Sequence, residues 1–380
     1  MLPLLYQKHL KNQLEDSELL FLELLIKILQ DIKEVSLEKL STALPLPILF
    51  NSRRKKVQRF LSLPTINIEK LWLPIIKNWL SQTFTSHQNI YLIIDRTNWA
   101  RNHLIMISIV YDCRAIPVYF ELLPKLGCSS FADQKRVFSQ VLPLFKKFKI
   151  TVLADREFCS IHLANWLRGQ EVEFCLRLKK NENVELKNGD WYSLDNLGLK
   201  PGICLFYSNI KVTKTKNMQG FNLAGKWQKK LQGCTPHEGW FILTNLCDLP
   251  SAISAYKKRF AIEEMFRDFK SGGYKLESTN VAGNRLISLL LIMAFAYSSS
   301  TFKGQKIKQK GVQKYVGRVR EYGRLTRRHS SFYIGLYGQT WVKFMDDCWG
   351  LVAELMKLNR NKLEHYLRGM RAMKLILATF

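Results

Sequence analysis

Hydrophobic residues in the first 86 positions recur at helical spacing. One apolar stripe is formed by Leu19, Leu20, Leu22, Leu24, Leu25 and Ile28. Prolines at positions 45, 47 and 64 interrupt the later segments, and no strand-like alternation of hydrophobic and polar residues occurs there. We therefore predict an α-helical N-terminal domain over residues 1–86.

Near residue 90 the pattern changes to short, β-branched apolar runs. Three of them, at 90–94, 104–110 and 115–120, follow one another through short turns, which predicts an antiparallel meander. Helical and strand-like segments then alternate. We expect a helix at 131–148, a strand at 150–154, a helix at 160–169 and a strand at 172–178.

Residues 180–250 break this alternation with β-like pieces at 202–210 and 240–246, an Asn188–Gly189 turn signal and a polar basic stretch at 211–230. They indicate a β-rich insertion within a core domain of residues 87–302. A helix is expected over 251–269, with Ser251 as N-cap and Gly272–Gly273 ending it. The apolar run at 286–297 is shorter than the roughly 20 residues that span a bilayer, so it predicts a buried helix.

Residues 303–380 form a basic helical C-terminal region. Its last part, 351–377, has the pattern of one amphipathic helix. Its first part opposes a single acid, Glu321, to many cations, which predicts a polyanion-binding surface. The cations are Lys303, Lys306, Lys308, Lys310, Lys314, Arg318, Arg320, Arg324, Arg327 and Arg328.

The charge of the whole chain supports that interpretation. Its 380 residues carry 58 Lys and Arg against 31 Asp and Glu, a net charge of +27. A polyanion is the expected partner. Nucleic acid and an anionic membrane surface both match the charge, but no segment is suited to enter lipid, and we expect an intracellular protein with no membrane partner. The basic cluster at 53–59 could be a solvated helix face, although the charge of the chain favours DNA contact and hence a DNA-binding N-terminal region.

Two acids close apolar strands of the predicted core. Asp95 follows the first run and Asp155 follows the fourth. Either acid alone would be read as a helix cap or turn former. However, the first and fourth strands are neighbours in ribonuclease-H-like sheets, which would place the two carboxylates side by side. Sites of several carboxylates suit hard divalent cations such as Mg²⁺.

A third acid is offered by the helix after the insertion. Tyr256, Arg259, Glu263 and Lys270 are separated by 3, 4 and 7 residues, which predicts one stripe on one helix. The alternative is that Glu263 only pairs with Arg259 or Arg267 on a solvated face.

These residues carry a family resemblance. The segment from Tyr256 to Lys270 resembles the Tyr-x2-Arg-x3-Glu-x6-Lys signature of DDE transposases of the insertion-sequence-four family. Residues 154–157, Ala-Asp-Arg-Glu, resemble the second-aspartate motif of that family, and residues 94–97, Ile-Asp-Arg-Thr, resemble the first. The strand at 240–245 is similar to one that precedes the signature. Four motifs in the right order cover residues 90–302.

The resemblance implies a ribonuclease-H-like mixed-sheet α/β core that cuts the ends of a mobile element and joins them to target DNA. It implies two divalent ions, Mg²⁺ with Mn²⁺ able to substitute, held by Asp95, Asp155 and Glu263. The DNA-binding residues would be Tyr256, Arg259, Lys270 and Arg156, with Trp240 stacking on a base turned out of the duplex. Double-stranded DNA is the partner, a homodimer forms on the DNA ends, and the location is the nucleoid in the cytoplasm of a prokaryotic host.

Two other functional classes fit parts of the pattern. A DNA-binding element protein without catalysis would have no need of all three acids, and all three are present. A structure-specific nuclease on a similar core would keep the acids but would not need a set of residues for the terminal phosphates or a base-stacking tryptophan.

Overall fold

The structure is a computed structural model of the chain. It describes residues 3–124, 128–186, 189–213, 218–229, 237–320, 322 and 328–379. The chain divides into two compact units, one of Met1–Trp79 with Arg267–Phe380 and the other of Leu80–Phe266. The residues predicted to form an N-terminal and a C-terminal region therefore belong to a single unit, whereas most of the predicted core forms the second.

The first unit is built from helices. Residues 3–86, all of them described, contain helices and no strand. These helices are α1 (Leu4–Leu10), α2 (Asp16–Ile32), α3 (Leu37–Ala43), α4 (Phe50–Leu61) and α5 (Leu73–Thr83), with a π-helical turn at Ile68–Trp72 before α5. Most of the apolar stripe seen in the sequence is the buried face of α2, where Leu19, Leu22, Leu25 and Ile28 lie in the core. Leu20, also assigned to that stripe, is exposed.

The helix predicted at 286–297 is longer in the structure. It becomes α10 (Gly283–Gln309), 27 residues. By length and composition this helix could cross a membrane, but 89% of its most apolar window is buried inside the protein. A helix that is apolar on all sides is stable in water only when other elements surround it, so α10 is a core helix, as the sequence indicated.

Among the described residues, α10 is followed by the helices α11 (Ser331–Asp347), α12 (Trp349–Leu358) and α13 (Leu363–Leu377). The prediction of one helix over 351–377 was wrong. The chain leaves helical conformation at Asn359, whose side-chain amide donates to the carbonyl of Leu355 and so satisfies an acceptor at the end of α12. A 3₁₀ turn at Arg360–Lys362 leads into α13.

Helices α10 and α11 touch at two glycines. A Cβ on Gly304 would lie 1.8 Å from the carbonyl oxygen of Ser331, and a Cβ on Gly335 would lie 1.8 Å from that of Ser300. Both distances are far below van der Waals contact, so only glycine allows the two backbones to approach this closely.

The second unit contains the sheet that the sequence predicts. Its first five strands are β1 (Asn89–Trp99), β2 (Asn102–Tyr111), β3 (Arg114–Leu122), β4 (Lys149–Ala154) and β5 (Glu173–Arg177). They lie in the order β3-β2-β1-β4-β5. The meander β1-β2-β3 is antiparallel, whereas β4 is parallel to both β1 and β5. This arrangement agrees with the mixed, ribonuclease-H-like sheet expected from the sequence.

The connections within this core are helical. A capping box between Ser130 and Asp133 begins α6 (Phe131–Val141), and α7 (Ile161–Gly169) joins β4 to β5. The predicted helix at 131–148 is shorter, because a 3₁₀ segment begins at Leu142. Pro143 lies in that segment and has no backbone N–H to continue an α-helix.

The β-rich insertion extends the same sheet. Its strands are β6 (Asn183–Glu185), β7 (Trp191–Ser193), β8 (Cys204–Val212) and β9 (Met218–Lys226), and β10 (Trp240–Thr244) follows them. Within the described residues, ten strands form one sheet in the order β3-β2-β1-β4-β5-β10-β9-β8-β6-β7. Asn188 of the predicted turn and parts of the basic stretch, 214–217 and 230, lie outside the described residues.

The helix predicted at 251–269 is two helices, α8 (Leu249–Lys257) and α9 (Phe260–Phe269). At the junction the N–H groups of Lys258 and Arg259 bond three residues back, to Ala255 and Tyr256, so the chain tightens and turns. The predicted N-cap was also wrong by three residues. Asp248 caps α8, since its carboxylate accepts from the N–H of Ser251 at 2.8 Å.

Candidate active site

Two acids lie side by side where β1 and β4 meet. Ile94 of β1 pairs with Ala154 of β4 in the parallel ladder, and an aspartate follows each of them. Asp155 directly follows the end of β4, as predicted, but β1 continues to Trp99 along β2, so Asp95 lies within its strand and does not close it. The neighbouring position of these strands, predicted from the sequence, is confirmed.

Arg259 lies between the first acid and the third. Its guanidinium is 3.5 Å from a carboxylate oxygen of Asp95 and makes a second ion pair with Glu263, one turn further along the chain. The break between α8 and α9 places Arg259 outside both helices. The alternative considered for Glu263, a pair with Arg259, is thus present, but the arginine is largely buried and also contacts Asp95.

The site concentrates negative charge in a poorly solvated place. Burial, aided by the nearby Asp155 and Glu263 carboxylates, raises the pKa of Asp95 to about 7 against the lowering effects of Arg259 and of the Arg96 backbone N–H. Burial opposes the charge of Arg259, but Tyr256 and the surrounding acids outweigh it and raise the pKa of that guanidinium above its ordinary value. The three acids therefore interact electrostatically and favour a cation among them.

Tyr256 connects the second acid to an aromatic pair. Its hydroxyl donates to Asp155 at 3.5 Å, and its ring meets that of Trp240 edge to face at 5.1 Å between centroids. The Arg259 guanidinium lies 5.8 Å from the centre of the same ring. Burial raises the pKa of Tyr256, so the phenol remains a hydrogen-bond donor at neutral pH. Tyr256, Trp240 and Asp155 are thus one contact group.

The sequence interpretation missed Arg177 and Glu238. Arg177 ends β5 and lies 3.8 Å from Asp155. Glu238, just before β10, pairs with Arg177 at 2.6 Å and with Arg156 at 2.9 Å. The register offers a signal for Arg177, because Leu176 pairs with Ala154 and the next residues on both strands are neighbours. Glu238 gives no such signal, since it lies in a loop of the insertion.

Two further ion pairs connect the elements around the acids. Arg96, next to Asp95 in β1, pairs with Glu157 at 2.8 Å and so joins β1 to the turn that follows β4. Glu264 pairs with Arg114 at 3.1 Å. Glu157 and Glu264 are therefore each paired with an arginine other than Arg259. Of the three predicted acids, in contrast, Asp95 and Glu263 share Arg259, and Asp155 accepts a hydrogen bond from the nearby Tyr256.

Lys270 was predicted on the same helical stripe as Glu263. That stripe is not continuous, because α8 and α9 are separate and Lys270 follows the end of α9. In the structure its ammonium group pairs with Glu277 at 2.9 Å.

The chemistry of the three predicted acids fits a hard divalent cation. Their carboxylates are oxygen donors, Asp155 and Glu263 raise the pKa of Asp95, and a guanidinium now supplies the opposing charge. Within the described part of the chain, no three His, Cys, Asp or Glu side chains are already arranged as a metal site. Holding metal here would require Arg259 to give up its contacts with Asp95 and Glu263.

Comparison with known families bears on the choice between the functional classes. Residues 133–298 match the family model of the transposase DDE domain. The match includes Asp155 and Glu263 and supports a DDE transposase, a class that generally uses divalent metal ions. No curated protein matches the chain.

Solved structures also resemble the chain at low identity. A cryo-EM structure of a piggyBac transposase synaptic complex with hairpin DNA is 14% identical, with a TM-score of 0.44, over 96% of this chain and 76% of that chain. An X-ray structure of Marinitoga piezophila Argonaute in complex with 5′ OH guide RNA and target DNA is 14% identical, with a TM-score of 0.22, over 45% and 24%.

Proposed function

We propose that this protein is the transposase of an insertion sequence of the insertion-sequence-four family. It binds the terminal inverted repeats of its element, cleaves the DNA at both ends and joins the 3′-hydroxyl ends to target DNA. The observation that carries the proposal is that Asp95 and Glu263 both contact Arg259, with Asp155 beside Asp95 where β1 and β4 are neighbours. Charged groups that are close together and partly buried cost folding free energy, and such clusters occur preferentially at functional sites.

Asp95, Asp155 and Glu263 would hold two Mg²⁺ ions, with Mn²⁺ able to replace them. Such a pair of ions supplies an activated nucleophile and stabilises the leaving oxygen in phosphodiester transfer. The protein contributes three carboxylates and a structure that fixes two of them on adjacent strands. Because hydrolysis and strand transfer both exchange one phosphodiester oxygen for another, one site can serve both steps.

The cations around the acids would bind DNA phosphates. When the carboxylates take up metal, the guanidinium of Arg259 is free to bind a phosphate through two parallel hydrogen bonds. Tyr256 and Lys270 would contact terminal phosphates, and Arg156 would contact the strand at Asp155. Trp240, partly exposed beside Tyr256, offers a ring face on which a base turned out of the duplex can stack.

Basic surfaces of the helical unit would hold the rest of the duplex. Lys55, Lys56 and Arg59 are exposed on α4. A cavity of about 840 Å³ next to this helix is lined by Arg54 and Arg285 among other residues. The segment 303–328 carries further exposed cations, although Arg324 and Arg327 lie outside the described residues. Two copies would assemble as a homodimer on the two ends of the element, at the nucleoid in the cytoplasm of a prokaryotic cell.

The test is a transposition reaction with purified protein. The substrate is a duplex that ends in the terminal repeat found beside the gene, with a supercoiled plasmid as target and Mg²⁺ as the metal. We expect nicking at the repeat followed by joining of the 3′ end to the plasmid, with neither product in EDTA. Cleavage without joining would favour the nuclease interpretation, and binding without cleavage would favour the non-catalytic one.

A further inference from the structure

Glu238 lies between two arginines at the edge of the candidate active site. One carboxylate oxygen of Glu238 is 2.6 Å from the Arg177 guanidinium and 2.9 Å from that of Arg156. The other oxygen accepts from Arg156 at 3.1 Å. Both oxygens of the carboxylate are therefore bound by guanidinium groups, in the geometry in which arginines also bind the oxygens of a phosphate.

The sheet fixes the two arginines beside the second acid. Arg156 directly follows Asp155, and Arg177 ends the adjacent parallel strand, 3.8 Å from the Asp155 carboxylate. A phosphate bound to this arginine pair would be next to the predicted metal ligands. Glu238, in contrast, comes from the loop that closes the insertion, so its backbone belongs to neither of these strand ends.

The exposure of these side chains differs in a way that bears on exchange. The Arg177 side chain is 12% exposed, whereas that of Glu238 is 38% exposed. The Arg177 side chain is therefore fixed by the residues that bury it. The Glu238 carboxylate, in contrast, can move from the arginines into water without disrupting the packing of the core. The free energy needed to break the ion pairs of Glu238 is small, because a partly exposed ion pair contributes little to stability.

We propose that Arg156 and Arg177 form a binding site for a phosphate of the reacting DNA strand, and that Glu238 occupies this site while DNA is absent. This inference rests on the proposed function and adds to it a specific phosphate site and its internal competitor. DNA entering the active site exchanges one anion for another at the arginine pair. Until the DNA strand binds, the Glu238 carboxylate also offsets part of the positive charge of Arg156 and Arg177 next to Asp155.

The test compares Glu238→Gln with Glu185→Gln. Glu185 is paired with Lys211 at 2.8 Å elsewhere in the insertion, so both variants remove one ion-paired carboxylate and change the net charge equally. The measurement is fluorescence anisotropy of a labelled duplex ending in the terminal repeat, in EDTA and at one salt concentration. We expect Glu238→Gln to bind about three- to tenfold more tightly than wild type, because the competing anion is gone, and Glu185→Gln to bind nearly as wild type.

A second pair of variants separates competition from a general charge effect. In an Arg156→Gln/Arg177→Gln background, Glu238→Gln should give no gain in affinity, since no site remains for it to block. Equal affinities for Glu238→Gln and Glu185→Gln, or a gain that persists without the arginines, would overturn the proposal while leaving the transposase function intact. Failure of the wild-type protein to bind the repeat at all would instead overturn the proposed function.

Circular dichroism melting accompanies each variant. A loss of affinity in Glu238→Gln with an unchanged melting temperature would mean that Glu238 positions the arginines rather than competes for them, and this result would also overturn the proposal.

Discussion

Ile94 and Ala154 are paired neighbours in the parallel part of the sheet. The residue after each of them is an aspartate, so the two predicted metal ligands lie side by side although 60 positions separate them in the chain. Their relative position depends on a hydrogen-bonded ladder and not on a mobile loop. This rigidity is what a metal site requires of its ligands.

Removing any of the three acids should abolish cleavage without abolishing DNA binding. We expect Asp95→Asn, Asp155→Asn and Glu263→Gln each to lower the nicking rate at least about a hundredfold, because each loses a metal ligand. Nicking of a repeat-ended duplex in Mg²⁺ measures the effect. Glu264→Gln is the matched control on α9, since Glu264 pairs with Arg114 and should have a milder effect. Robust cleavage by Asp155→Asn would refute the mechanism.

Replacing Arg259 should make the protein depend on metal for stability. Arg259→Ala leaves Asp95 and Glu263 without their shared cation, and we expect it to lower the free energy of unfolding by about 1–3 kcal/mol in EDTA. Mg²⁺ should then restore stability to the variant more than it stabilises wild type, because no guanidinium competes for the carboxylates. Urea unfolding with and without Mg²⁺ measures both effects. An equal Mg²⁺ response in the two proteins would show that metal does not bind among these acids.

Lys270 should act in joining more than in nicking. Lys270→Ala leaves Asp95, Asp155 and Glu263 intact, so we expect strand transfer to fall about tenfold while first-strand nicking changes less. Lys275→Ala, which removes a more exposed cation paired with Glu34, is the control. The ratio of joined to nicked product is the measured quantity. A proportional loss of both products would indicate that Lys270 only supports the fold through Glu277.

The exposed cations of the C-terminal segment should bind DNA without reading its sequence. Neutralising Lys306, Lys310, Lys314 and Arg318 should weaken binding to repeat-containing and random duplex alike. The slope of log affinity against log salt concentration should flatten by about 0.9 for each lost phosphate contact. If instead the preference for the repeat disappears at an unchanged slope, this segment reads the repeat, and the backbone role falls to α4.

Lys303 lies in the C-terminal basic segment, but we do not expect it to bind DNA, because its side chain is only 6% exposed. Burial, with the charges of Lys27 and Lys306, lowers its pKa from 10.5 to about 8. Below pH 8 both folded and unfolded chains hold the proton, and the buried charge is destabilising. Between about pH 8 and 10.5 the unfolded chain holds more protons, so the stability of wild type should rise with pH.

Lys303→Met tests this linkage. We expect the variant to be more stable than wild type at pH 7 by about 1–3 kcal/mol and the difference to shrink toward pH 10.5. Urea unfolding across that pH range measures it. Lys310→Met, at an exposed position directly after the same helix, should show no comparable gain. A constant difference between Lys303→Met and wild type at all pH values would mean that packing, and not the charge, distinguishes them.

Much of the fold follows from local patterns. The meander, the strand at β4 and the burial of α10 are visible as runs of apolar residues whose spacing matches the element that they form. The break between α8 and α9 is not visible. No glycine or proline lies at Lys258 and Arg259, and the turn forms because Arg259 is bound by Asp95 and Glu263, which are contacts that only the tertiary structure creates.

The candidate site was predictable where it depends on strand ends. Asp95 and Asp155 could be located because apolar strands lead into them, and Glu263 through a signature with fixed spacing. Arg177 required the register of two parallel strands, and Glu238 required the path of an insertion loop. Neither of these is encoded in local hydrophobicity.

The insertion is part of the core sheet, since β9 supplies the hydrogen-bonding partner of β10 along its whole length, from Trp240 to Thr244. A shortened protein that lacked β6 to β9 would turn β10 into an edge strand with unsatisfied backbone groups directly beside Tyr256 and Trp240. Exposed edges of this kind pair with other chains and aggregate. Attempts to shorten this protein should therefore keep β8 and β9 and remove residues elsewhere.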